Sequence, residues 1–140
     1  MLALTIRQPF AALILRGLKT VEYRRFHLPL GVDIALHTSR ALAGPAELEA
    51  ARLACAGASD QAVLRWLSQL HRGKIVAVFR CTGHSSAPVE YVRRGWPIAN
   101  MIEVIEELAE PIRAIGQPGL WDWTASSPAT EPHQQGELFL

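Results

Sequence analysis

No segment approaches the roughly eighteen consecutive apolar residues that a membrane-crossing helix needs, so insertion into a bilayer is not expected. The opening MLALTIRQPF places Arg7 and Pro9 where a signal peptide would continue its apolar region, so export is not expected either. Cysteine is scarce. Cys55 and Cys81 are the only two, with no CxxC or Cys/His spacing, which argues against a disulfide framework or a zinc site. The other candidate ligands, His27, His71, His84 and His133, are scattered without ligand spacing, and neither metal nor cofactor is predicted. Together these absences point to a reducing cytoplasm. Charge is sparse too, at 19% of residues against 49% hydrophobic, which is too apolar for disorder. With no internal repeat and 140 residues, the chain is expected to fold around a single core.

The charge that is present is unevenly placed. Residues 1 to 40 carry six cations and two carboxylates, 71 to 96 carry five and one, and 97 to 140 hold seven carboxylates against Arg113 alone. A basic front and an acidic rear therefore hide behind a net charge of +1. Twelve of the fourteen cations are arginine, the side chain suited to bidentate phosphate or carboxylate contacts and to stacking on bases.

Periodicity predicts the following elements. Leu2 to Ile6 reads as a strand, and Pro9 then opens a short helix that stops at Gly17. From Thr20 to Arg24 the residues alternate, with Val21 and Tyr23 on one side and Thr20, Glu22 and Arg24 on the other. Val32 to Ser39 is a further strand on which His37 and Ser39 point together. Two helical patterns follow, Pro45 to Ala56 and Ser59 to Arg72, forming a hairpin laid against a sheet. Lys74 to Cys81 is rich in β-formers, and Gly119 to Trp123 is a last short strand. Met101 to Ile112 fits both a helical and a strand pattern, and periodicity alone leaves it open.

Leu4-Thr5-Ile6-Arg7-Gln8-Pro9-Phe10-Ala11, followed by Gly17-Leu18-Lys19-Thr20-Val21-Glu22-Tyr23-Arg24, resembles the opening of the ASCH domain family of the PUA-like superfamily. That opening is similar to L-S-I-R-Q-P-[WFY]-A and then G-x-K-x-x-E-x-R. The resemblance continues through Ile34 to Ser39, Gly73 to Phe79 and Gly116 to Trp121, covering nearly all of residues 2 to 123. It implies an α+β fold: a small PUA-like mixed, mostly antiparallel β-barrel with a short N-terminal helix and the flanking helical hairpin. It also implies that Ile102 to Leu108 is a strand. Residues 1–123 would form this domain and 124–140 a flexible C-terminal tail.

The resemblance further implies binding of RNA, a nucleotide or a modified nucleoside in a cleft beside the G-x-K-x-x-E-x-R segment. Some small bacterial members look like amidohydrolases that deacetylate N4-acetylcytidine, with a Thr three residues after the Lys. Lys19 matches that Lys, but Glu22 stands where the Thr would be. Hydrolysis here, of an N4-acylated cytidine or of RNA, would need Lys19 with Glu22 as a base, or Ser39 as nucleophile.

Lys19, Glu22 and Arg24 admit two readings. As a surface ion-pair cluster they would contribute little. As a ligand site, Lys19 and Arg24 supply donors to a phosphate or base carbonyl, and Glu22 accepts from an exocyclic amine. Gln8 is either a ligand contact or a structural amide. His37 and Ser39 are candidates for the same cleft. Trp96, following Arg93-Arg94-Gly95, combines an aromatic face with two guanidinium groups, as single-strand binders do, or else covers the barrel mouth. Finally, Gln135-Gly136-Glu137-Leu138-Phe139 resembles the bacterial sliding-clamp-binding pentapeptide, with Gly at the second position in place of Leu. Gln135, Leu138 and Phe139 would anchor a tethered tail to a clamp, or fold back on their own domain.

Overall fold

The structure is a computed structural model that describes residues 1–42, 44–45, 49 and 60–124. In chain order the elements are β1 (Leu2–Gln8), α1 (Phe10–Leu15), β2 (Val21–Arg24), β3 (Ile34–Leu42), α2 (Asp60–Ser68), β4 (Lys74–Ser86), α3 (Val89–Arg93), β5 (Ile98–Arg113) and β6 (Leu120–Asp122). The strands form one sheet in the order β2-β5-β4-β3-β1-β6. Only β1 and β3 run parallel; every other ladder is antiparallel. The α+β class and the mixed, mostly antiparallel sheet are as the resemblance implied.

Two details differ from that expectation. The hydrogen-bonded sheet is open, with β2 and β6 at its edges. It is nonetheless curled, because Arg24 on β2 reaches the backbone of Thr5 on β1. In a flat sheet four strand spacings, about 19 Å, would separate those strands. The second helix of the hairpin is α2, shorter than the predicted Ser59 to Arg72; of the first, Pro45 and Glu49 are helical, while the rest of Pro45 to Ala56 lies outside the described residues, as do residues 125–140.

The ambiguous segment is a strand. Residues 98–113 pair with β4 along its length, and three register shifts in that ladder break the alternation. A bulged strand displaces its apolar positions from strict period two, which is why a helical count fitted equally well. The β1–β3 pair is covered on both faces. Leu4, Ile6, Ile34 and Leu36 join Phe79, Leu28 and Ala11 in the main core, while Ala3 and Ala35 pack with Ile75, Ala114, Trp121 and Trp123 on the other side. Parallel strands in the middle of a fold read as continuous apolar runs for this reason. Met1 and Trp123 exchange two backbone hydrogen bonds of 2.8 Å each, closing the fold at its last strand.

His37 lies in the Trp121 layer and is fully enclosed. Its Nε2 donates to Ala114 O at 2.8 Å, leaving Nδ1 as the acceptor facing Thr5 Oγ1 at 3.1 Å. Trp121 Nε1 donates to the same Thr5 hydroxyl at 2.9 Å and packs edge-on against the imidazole. Gly116 completes the enclosure, since a Cβ there would lie 2.3 Å from His37 Cε1. Burial holds the His37 pKa below the usual histidine value, the Ala114 hydrogen bond opposes this in part, and Arg40 adds to the lowering.

A depressed histidine pKa means that the unfolded chain takes up the proton first. Stability is therefore complete above about pH 6.5 and is lost as pH falls below that value towards the folded-state pKa. The His37 ring proton signals should show the neutral form persisting below pH 6.5 by NMR titration, with the melting temperature falling over the same interval. An imidazole titrating at or above its ordinary value would contradict this. Gly116→Ala should destabilise the fold by about 1–3 kcal/mol in chemical denaturation, as overpacking does.

Candidate functional site

The G-x-K-x-x-E-x-R segment is presented by a helix end. Gly17, at φ +74°, stops α1 in a left-handed turn. Gly17 N then donates to Ile14 O and Leu18 N to Leu13 O, the paired bonds of a Schellman motif. A residue with a Cβ would resist that backbone angle. The turn brings Lys19 back beside the helix, with its ammonium 6.0 Å from the Phe10 ring centre.

β2 then lies along the edge of the sheet, with Glu22 opposite Asn100 of β5. Its alternation is as predicted, but the most enclosed residue is on the polar side: Glu22 is 7% exposed, whereas Val21 and Tyr23 are half-buried. A carboxylate so buried needs partners, and it has two cations. Lys19 Nζ is 3.1 Å from Oε1, and Arg24 Nε donates to Oε2 at 2.7 Å. Lys19 also donates to Val21 O, and Arg24 Nη2 donates to Thr5 O at 2.9 Å. Two cations around one carboxylate leave the group with a formal charge of +1.

Asn100 sets the depth of this cluster. Fully buried, it accepts from Leu28 N at 2.9 Å and donates to Glu22 O and Phe26 O at 3.2 Å each, folding the 25–30 loop back against β2. Beside the ions stands an aromatic wall. The Tyr23 ring stacks on Tyr91 of α3 with centres 3.7 Å apart and planes 15° from parallel, and Lys19 Nζ lies 5.6 Å from the Tyr23 centre. Burial, followed by the charges of Tyr91 and Glu90, raises the Tyr23 pKa, so the phenol stays protonated and available as a donor.

The structure thus brings Lys19, Glu22 and Arg24 together. Trp96 belongs to the α3 segment, where its N–H donates to Tyr91 O and its ring lies 5.3 Å from the Arg94 guanidinium carbon. Gln8 is buried and engaged at both ends of its amide, accepting from Ala12 N at 3.0 Å and donating to His71 O at 2.9 Å. That is the structural role. His37 sits in the Trp121 layer described above, and buried Ser39 accepts from Ala41 N at 3.0 Å; neither hydrogen-bonds to the ion cluster. Gln135, Leu138 and Phe139 lie outside the described residues. Tyr91, Phe10 and Asn100 were not singled out from the sequence. Tyr91 stands 68 positions after Tyr23, and no local pattern announces that they meet. Among the described residues no group of three His, Cys, Asp or Glu side chains is placed to hold a metal ion.

No protein-family model and no curated protein sequence matches the chain. Its likeness is to solved structures. The crystal structure of ASCH from Zymomonas mobilis is 15% identical, with 99% of this chain and 94% of that chain covered at a TM-score of 0.52. A serine-to-alanine variant, described as ZmASCH from the same organism, is 16% identical, with 99% and 96% covered at a TM-score of 0.51. The chain therefore has, over nearly its whole length, the fold of the Zymomonas mobilis ASCH protein.

Proposed function

We propose that this chain binds RNA or a modified nucleoside at the Lys19–Glu22–Arg24 strand. The observation that carries this reading is the buried carboxylate held between two cations beside a stacked pair of tyrosines. Each part suits a nucleobase. Tyr23 and Tyr91 offer aromatic surface, Lys19 and Arg24 offer donors to a carbonyl or phosphate, and Glu22 is an acceptor for an exocyclic amine if Lys19 swings away. The excess positive charge favours an anionic ligand over a neutral one.

Binding is favoured over hydrolysis of an N4-acylated cytidine. A general base must take a proton from water, and the two cations beside Glu22 favour the carboxylate in its charged form.

Two measurements check this reading. Lys19→Met should weaken binding of a cytidine nucleoside or a short RNA at least tenfold in a titration, while costing up to about 3 kcal/mol of stability because the buried Glu22 keeps only Arg24 as a partner. Unchanged affinity for every nucleoside and RNA tested would remove the site from consideration. In mass spectrometry, N4-acetylcytidine incubated with the protein should be recovered intact. Release of cytidine that disappears in Glu22→Gln would instead establish the hydrolase.

A further inference from the structure

A second set of cations gathers at the opposite end of the β4–β5 hairpin from α3. Lys74 and Arg113 are direct cross-strand partners, the last pair of that ladder. Like charges set opposite each other destabilise a sheet unless something neutralises them. Arg40 of β3 joins them, its side chain lying across Gly73: a Cβ at residue 73 would be 3.3 Å from both Cγ and Nε of Arg40. Arg72 is tied to the same place, its Nη1 donating to Arg40 O at 3.0 Å. Lys74 Nζ lies 3.4 Å from His71 Nδ1.

Among the described residues, three other cations have carboxylate partners. Lys19 and Arg24 share Glu22, and Arg80 pairs with Asp33 at 2.6 Å. Among the described residues, no ion pair engages Arg40, Arg72, Lys74 or Arg113. Glu110, three positions before Arg113 on β5, is exposed and is not paired with any of them. Among the described residues, four positive side chains thus meet on three neighbouring strands and the turn beside them with no carboxylate paired to them.

We propose that Arg40, Arg72, Lys74 and Arg113 bind the phosphodiester backbone of a single-stranded nucleic acid. Three strands at about 4.8 Å spacing spread the cluster over roughly 10 Å, wide enough to meet more than one phosphate of one strand. Three of the four are arginines, whose planar donors match phosphate oxygens bidentately. The cluster also lies near the site proposed above. Arg24 meets β1 at Thr5 and the His71 loop meets it at Gln8, three residues or about 10 Å further along. The identity of the bases rests on the preceding proposal, whereas the cluster's grip on phosphates does not.

An oligomer of abasic deoxyribose phosphates tests the cluster alone, and a phosphate-free cytidine nucleoside tests the β2 site alone. The combined variant Arg72→Gln, Lys74→Gln, Arg113→Gln should bind the abasic oligomer at least tenfold more weakly than the wild type at low salt. Its slope of log affinity against log salt should be shallower by about 2, at about 0.7 per lost single-strand phosphate contact. Its melting temperature should be unchanged or higher, and its nucleoside binding unchanged. If the combined variant does not fold, Arg113→Gln alone should flatten the slope by about 0.7. The proposal is overturned if the wild type does not bind the oligomer, if the variants bind it with the wild-type affinity and slope, or if phosphatidylserine vesicles bind more tightly than the oligomer. Loss of nucleoside binding with oligomer binding intact would overturn only the β2 reading.

Discussion

Among the described residues Glu22 is the one buried carboxylate, and its two counter-ions do more than neutralise it. Arg24 spends one nitrogen on Glu22 and another on Thr5 O, so the same guanidinium that answers the buried charge draws the edge strand β2 across to β1. Lys19 answers the other oxygen and is fixed there by the turn at Gly17. Removing one member of such a group leaves an uncompensated charge, which is more costly than never having built the group at all. The curl of the sheet and the chemistry at its edge therefore rest on the same three side chains. A ligand that recruits Lys19 or Arg24 must compete with Glu22, and the geometry that makes the site polar also limits how far it can open.

Much of this was legible in the sequence, but not which side faced inwards. Alternation from Thr20 to Arg24 identified β2 and grouped Glu22 with Arg24, because a strand places every second residue on one side. Hydrophobicity would bury Val21 and Tyr23, yet Glu22 is the enclosed residue. The reason is tertiary: Asn100, 78 positions away, lies opposite Glu22 and fixes its backbone. Gln8 shows the same limit. Its place before Pro9 matched a motif, but only the fold reveals that His71 O and Ala12 N occupy its amide. β5 was undecided by periodicity because register shifts in its ladder disturb the count, and the resemblance to a known fold settled what the pattern could not.

His37 and Ser39 were correctly placed on one strand, and both are buried. Strand periodicity says which residues share a face but not what covers it. Here the cover is Trp121, supplied by a three-residue strand more than 80 positions downstream. The imidazole is held neutral among Thr5, Ala114 and the indole, so its chemistry belongs to the packing of β1 against β3. A buried polar residue with every atom engaged is one way a fold selects a single register, because a shift of one position would leave those atoms unpaired.

Charge segregation takes on a different meaning once the strands are placed. β2 covers β5 only from Ile98 to Met101, and Ile102 N–H is taken by Thr20 O. Beyond that point, among the described residues, β5 has β4 on one side and no strand on the other. Glu103, Glu106, Glu107 and Glu110 are all exposed along this stretch. An unpaired strand edge invites a second copy to add to it, and two such edges carrying four carboxylates each would repel. Four of the seven carboxylates of the acidic rear are thereby explained by what they prevent, without a ligand. The basic end at Lys74 and Arg113 differs in kind: there the like charges stand opposite each other across the longest ladder of the sheet, and the anion proposed above would relieve that repulsion.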